Sequence, residues 1–158
     1  MKTTLITISI CLAALFFSCK SSDSVSKQES IARITEKVEN RNFAFVPRTA
    51  LPMGGKSINI SYGYSLKVSQ DSIIAYLPYY GRAYSAPTPG DNGGIKFTST
   101  DFEYLMEKKN NGMWDAVITI KDNRNNYKLM LQMGNTGYGS LTVQDNTRQS
   151  ITFNGQIE

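Results

Sequence analysis

Between Asp71 and Phe97 the chain brings together Tyr76, Tyr79, Tyr80, Tyr84 and Arg82 among prolines and glycines. A tyrosine offers a flat apolar ring and a hydroxyl, which suits contact with a glycan or a lipid headgroup. Arg82 offers a planar fork of donors that fits a carboxylate or a phosphate. On this reading Tyr79, Tyr80, Arg82 and Tyr84 line a binding mouth or groove, and Trp114, the single tryptophan, is a ring for a ligand to stack on. A plainer reading competes with it. Pro78 ends a strand, Gly81 permits a bend or bulge, and the tyrosines plug one end of the core. Arg82 then pairs with an internal acid, and Trp114 is a core residue near a barrel end.

Catalytic chemistry has little to work with. The sequence contains no histidine, which excludes histidine acid–base catalysis and histidine metal ligation. Serine, acidic, tyrosine and lysine side chains remain, but no G-x-S-x-G elbow, S-x-x-K or paired acidic motif appears in convincing context. Glu103 and Glu107 fall on the polar face of a strand, where a solvated charge is the default. A hydrolase would need two carboxylates brought together from distant strands. The loop from Pro87 to Gly94 reads as a lid over a cavity or as a plain connection that uses glycine for positive φ. Asp91 and Asn92 supply too few oxygens for calcium, and the glycines match no phosphate-cradling spacing. The expectation is therefore no enzyme, no catalytic residue, no metal and no cofactor.

The N-terminus reads as an address. Met1–Thr4 is a short positive segment, and Leu5–Phe17 is an apolar run too short to span a bilayer comfortably. Leu15-Phe16-Phe17-Ser18-Cys19 resembles a lipobox, with Phe16 where leucine is usual. Cleavage before Cys19 would make residues 1–18 a signal peptide and leave the thiol to carry a diacylglycerol. The competing reading is an ordinary signal peptide with an incidental cysteine. Cys11 lies in the removed segment, so Cys19 is the one cysteine of the mature chain and no intrachain disulfide can form. Multiple acyl chains anchor stably, since each buried methylene contributes about 0.8 kcal/mol. Residues 19–26 read as a polar, loop-like tether that reaches about 25 Å when extended. The partner implied is a membrane, through this anchor, and the place is the outer membrane, at its periplasmic face or the cell surface.

Composition agrees with an exported β-protein. Of the 158 residues, 41% are hydrophobic and 11% aromatic, enough for one packed core, and only 19% are charged. A net charge of +4, one unit of it from Lys2, does not predict nucleic-acid binding, which needs a clustered basic face.

The elements follow from periodicity. Ser26 and Glu29 have capping-box form, and Ile31, Ile34 and Val38 recur at helical spacing. They predict an amphipathic helix from Lys27 to Asn40. Phe43–Val46 begins a strand that Pro47 limits, and Leu51–Gly55 is a turn. Beyond it the period becomes two. Ile58 and Ile60, then Tyr64, Leu66 and Val68, then Ile73–Leu77 mark strands. From Phe102 onward, Phe102/Tyr104/Met106, Trp114/Ala116/Ile118/Ile120, Tyr127/Leu129/Leu131/Met133, Leu141/Val143 and Ile151/Phe153 alternate with polar residues between short turns. Successive hairpins mean an antiparallel meander with one buried side. Roughly nine strands in one domain curl under their own twist, and closure removes the open edges. The predicted fold of residues 27–158 is mainly β: a barrel or half-barrel plugged by one N-terminal helix, with a two-sheet sandwich as the alternative.

A family resemblance rests on particular segments. They are Pro52-Met53-Gly54-Gly55, Leu77–Tyr84 (L-P-Y-Y-G-R-A-Y), Gly93–Phe97, Leu141-Thr142-Val143 and Asn146–Ile151. Together they resemble the uncharacterised lipoprotein family known as domain of unknown function 4251, over nearly the whole mature chain. The resemblance implies a bacterial envelope lipoprotein with a lipocalin-like barrel topology, and it supplies no activity and no site residues. Two functions stay open. One is a non-enzymatic module that binds a small apolar or amphipathic ligand, or a glycan, at the barrel mouth. The other is a structural lipoprotein with a filled barrel that meets another envelope protein. The large inward candidates Phe102, Tyr104, Trp114, Tyr127 and Phe153 lean toward the second.

Overall fold

The structure is a computed structural model that describes residues 22–84, 93–122 and 126–158. The segment predicted to be a signal peptide, Cys19, residues 87–92 of the Pro/Gly loop and residues 123–125 of the turn predicted after Asp122 lie outside them.

Helix α1 runs from Ser22 to Glu39. It starts earlier than the capping box suggests, so residues 22–26, expected as loop-like tether, are helical. No glycine or proline stands between Cys19 and Pro47 to stop the helix running back. Ser26 therefore lies inside the helix, and its carbonyl accepts a bond from the Ser30 hydroxyl. At the C-terminal end Arg41 takes φ 51°, Arg41 N–H donates to Val38 and Asn42 N–H donates to Lys37. This is a Schellman closure with arginine in the place glycine usually fills. The Arg41 guanidinium lies 4.5 Å from the centre of the Tyr104 ring.

Ten strands follow: β1 (Phe43–Pro52), β2 (Ile58–Asn59), β3 (Ser65–Val68), β4 (Ile73–Leu77), β5 (Ile95–Ser99), β6 (Phe102–Lys108), β7 (Met113–Ile120), β8 (Lys128–Gly134), β9 (Tyr138–Asp145) and β10 (Arg148–Ile157). The order across the sheet is β5-β4-β3-β1-β10-β9-β8-β7-β6, with the short β2 beside β1. Every recorded pairing between strands is antiparallel. This is the predicted meander, joined where the first strand meets the last.

Directions alternate along this path, so its two ends, β5 and β6, run the same way. Only Thr100 and Asp101 separate them. They are two halves of one bent strand, which carries the sheet from one edge round to the other and nearly closes a nine-strand barrel. Ser99 makes the corner. Its buried hydroxyl donates to the Asp101 carbonyl at 3.0 Å and accepts the Asp101 N–H at 3.2 Å. A polar side chain in an apolar core is thereby satisfied, as burial requires. Phe97 of β5 stacks on Tyr127, beside β8, with ring centres 4.8 Å apart. One continuous, nearly closed sheet replaces the alternative of two packed sheets.

Strand β1 corrects one expectation. It does not stop at Pro47 but continues to Pro52 through a bulge at Arg48. The β3 ladder ends at Phe45 and the β2 ladder starts at Thr49. On that side no neighbour asks Pro47 for the N–H it lacks, so the proline is tolerated.

The interior is apolar. Trp114, Phe45, Phe153, Leu66, Leu131 and Met133 are almost wholly buried and belong to one continuous cluster. Each large apolar side chain so buried contributes about 1.5–3 kcal/mol. Tyr104 and Tyr127 also point inward, and Phe102 is half-buried against the cluster. Helix α1 covers one end: Val38 is fully buried and Ile34 packs on the core. Lys108 at the end of β6 reaches Glu39 at 2.7 Å, and the Gln70 amide donates to the Asn40 carbonyl at 3.3 Å.

Candidate functional site

The tyrosine-arginine segment leaves β4 at Leu77 and lies back over the other end of the barrel as a strap. Its backbone pairs with the β9–β10 turn. Tyr84 N–H donates to the Thr147 carbonyl at 2.8 Å, Gln149 N–H donates to the Arg82 carbonyl at 3.0 Å, and Ala83 bridges Arg148. Tyr79 and Tyr80 pack half-buried against the core, while Arg82 and Tyr84 stand in solvent. The Tyr79 hydroxyl lies 3.0 Å from both the Arg82 and the Gln149 carbonyl oxygens. It has one proton to share between them. A Cβ at position 81 would sit 2.7 Å from that hydroxyl, so a larger residue there would have to displace the Tyr79 side chain.

The cation that anchors the strap is Arg148, not Arg82. Arg148 Nε donates to Asp145 Oδ2 at 2.9 Å, and Nη1 reaches the carbonyls of Gly93 and Gly94 at 3.3 and 3.4 Å. The guanidinium lies over the Tyr79 ring, 5.0 Å from its centre. Both members of the ion pair are largely buried, with side-chain exposures of 15% and 9%. Asp145 also accepts from the Thr147 N–H and hydroxyl. Burial pushes the Tyr79 phenol above its ordinary value of 10.0, against the opposing pull of the Arg148 charge. The phenol is thus a protonated donor, not an activated base. Among the described residues no ion pair involves Arg82, so the internal acid expected beside it belongs to Arg148.

Trp114 does not join this group. It is 1% exposed and sits in register with Lys108 and Met133, in the row that continues to Gly139 at the far end of β9 from Asp145. A ligand could stack on it only after the core opened. Its indole N–H has no hydrogen-bond partner. The predicted residues therefore separate into a latch (Tyr79, Tyr80), an exposed pair (Arg82, Tyr84) and a core ring (Trp114).

Among the described residues a concavity lies elsewhere, on the outside of β8, β9, β10 and β1. It is a groove of about 540 Å³, open to solvent, with a surface that is mainly carbon. That volume is in the range of roughly 300–1,000 Å³ used by small-ligand sites. Gly139 and Gly155 contribute bare backbone to its floor. A side chain at 155 would overlap the Val46 carbonyl and the Phe45 ring, and one at 139 would come within 2.7 Å of the Gln132 carbonyl. Gln132, Ser140, Asn154 and Thr49 form one cross-strand row, each paired with the next. Tyr138, 63% exposed, stands to one side. Arg48, turned outward by the β1 bulge, stands at the end, 3.5 Å from Glu158 and 5.7 Å from the centre of the Tyr62 ring. Sequence reasoning passed over these residues as a polar strand face. Two clues were present: glycines inside strands at 139 and 155, and a tyrosine at 138 outside the inward alternation.

Among the described residues no three acidic or cysteine side chains come close enough to hold a metal ion, and no helix is long and apolar enough to cross a membrane.

Fold and surface together define a class: a small, nearly closed antiparallel β-barrel with an apolar core, covered at one end by a helix and at the other by a strap. The particular family is equally plain. The chain belongs to the DUF4251 family, whose model, described as a domain of unknown function, matches residues 25–157. A crystal structure of a DUF4251 family protein from Bacteroides eggerthii is similar, with a TM-score of 0.63 at 14% identity. The match covers 84% of this chain and 89% of that one, and at such identity it speaks for the fold alone. No curated protein matches the chain.

Proposed function

We propose that this protein is a lipid-anchored envelope protein that works as a non-catalytic binding module through the outside of its barrel. In this reading residues 1–18 direct export, acylated Cys19 holds the chain to the outer membrane, and the barrel is a rigid scaffold. One observation carries the choice of surface. The interior is packed with Trp114, Phe45, Phe153 and their neighbours, whereas the groove faces outward. A calyx of the lipocalin kind needs the reverse arrangement. The same packed core suits the alternative, an envelope protein that meets another protein rather than a small ligand.

The test is mass spectrometry on the full chain extracted from membranes. The expected result is an N-terminal peptide that begins at a diacylglyceryl-modified Cys19, and no stoichiometric small molecule released on unfolding. An unmodified cysteine would refute the anchor. A hydrophobic molecule released only on unfolding would refute the outside surface.

A further inference from the structure

We propose that the outer groove over β8, β9, β10 and β1 is a binding site for a neutral oligosaccharide. The proposal rests on the reading of the barrel as a module that binds through its outside, and it names the ligand class.

The chemistry of the groove narrows the occupant. Gln132 and Asn154 present amides, each with an acceptor and a donor at fixed separation, and Ser140 between them presents a hydroxyl that does both. A sugar edge is a series of hydroxyls that also donate and accept, so this row offers it groups of the complementary kind. Gln156 adds a third amide, in register with Tyr138. The Tyr138 ring is a flat, exposed, partly apolar surface at the side of that row, fit to cover the C–H face of a pyranose. The strands lie about 4.8 Å apart, so the row from Gln132 to Thr49 is roughly 14 Å long, which suits a short chain better than a single ring.

Other occupants fit poorly. The one charged side chain lining the groove, Arg48, is already bridged to Glu158. An anionic ligand would meet no uncompensated cation, and a cationic one no uncompensated acid. An extended peptide would need a free strand edge, yet each of the four strands has neighbours on both sides. A lipid tail would need enclosure, and the groove is open and edged with amides. The Arg48–Glu158 pair itself supplies donors and an acceptor side by side, again a match for adjacent hydroxyls.

The experiment is titration calorimetry of the detergent-solubilised full chain against short neutral oligosaccharides of glucose, mannose, galactose, xylose and N-acetylglucosamine, with an oligogalacturonate as the charged control. At least one neutral oligosaccharide is expected to bind and to outcompete the control. Loss of one neutral hydrogen bond in Asn154→Ala is expected to weaken binding by roughly threefold to tenfold. Tyr138→Ala should weaken it more, and Tyr76→Ala, an exposed tyrosine outside the groove, should leave it unchanged. Trp114 fluorescence shows whether each variant keeps the native core. Binding by none of the neutral probes, stronger binding of the oligogalacturonate, or indifference to both groove variants overturns the proposal. In the first case, if no molecule is released from the interior, the glycan assignment fails while the outside-binding reading stands.

Discussion

The replacement Arg148→Ala asks whether the strap is a structural latch. It removes the 2.9 Å bond to Asp145, the two longer bonds to the Gly93 and Gly94 carbonyls, and the charge over the Tyr79 ring. It also leaves a mostly buried carboxylate without its cation. Breaking a buried pair from one side costs about 3–5 kcal/mol. Asp145 keeps the Thr147 N–H and hydroxyl, so the lower figure, about 3 kcal/mol, applies here. For a domain of this size that loss lowers the melting temperature by roughly 6–12 °C. It moves a urea midpoint by about 1.5 M at an m-value of about 2 kcal/mol/M. Trp114 is the ideal reporter, because it is the single tryptophan and is buried at the opposite end of the barrel. Its fluorescence follows loss of the whole core, not local release of the strap. The control is Arg82→Ala, an exposed side chain expected to change stability by less than about 0.5 kcal/mol. If Arg82→Ala destabilises the barrel as much as Arg148→Ala, or if Arg148→Ala costs under about 1 kcal/mol, the latch argument is wrong.

Two further perturbations probe the barrel. Gly155→Ala places a methyl group against the Val46 carbonyl and within 2.9 Å of the Phe45 ring and the Pro47 Cα, so backbone must move. The expected loss is about 3 kcal/mol by thermal unfolding, and wild-type stability would refute the close approach. Alkaline pH tests the half-buried Tyr79 phenol and the buried Tyr104 phenol. Tyr79 and Tyr104 are both pushed up chiefly by burial, so the folded state holds their protons more tightly than the unfolded chain does. Their contribution is complete below about pH 10 and is lost as pH rises through the raised folded-state values. Urea midpoints should therefore fall above that pH, and Tyr79→Phe should flatten part of the fall. A midpoint that rises there would contradict the sign.

How much of this was legible depended on the range of the signal. Period-two alternation and short turns are local, so the strands from β6 to β10 could be read almost residue by residue. The inward set Tyr104, Trp114, Tyr127 and Phe153 is buried as that alternation implies. The end of the helix was equally local. Its start was not, because a capping-box pattern competes with the plain absence of any breaker upstream. Pro47 misled for a similar reason. A proline stops a strand only where a neighbour needs its N–H, and the neighbour's position is not written in the adjacent residues.

The sequence by itself determined a histidine-free, antiparallel meander with one apolar side, because alternation and composition act within a few residues of chain. Only the tertiary structure decided which arginine anchors the strap, that Ser99 and Asp101 turn one strand into both edges of the barrel, and that the concavity lies outside. Those outcomes join residues such as Tyr79 to Gln149, or Gln132 to Ser140 to Asn154, across strands. Register between strands is set by the packing of the whole core, and no window of sequence contains it.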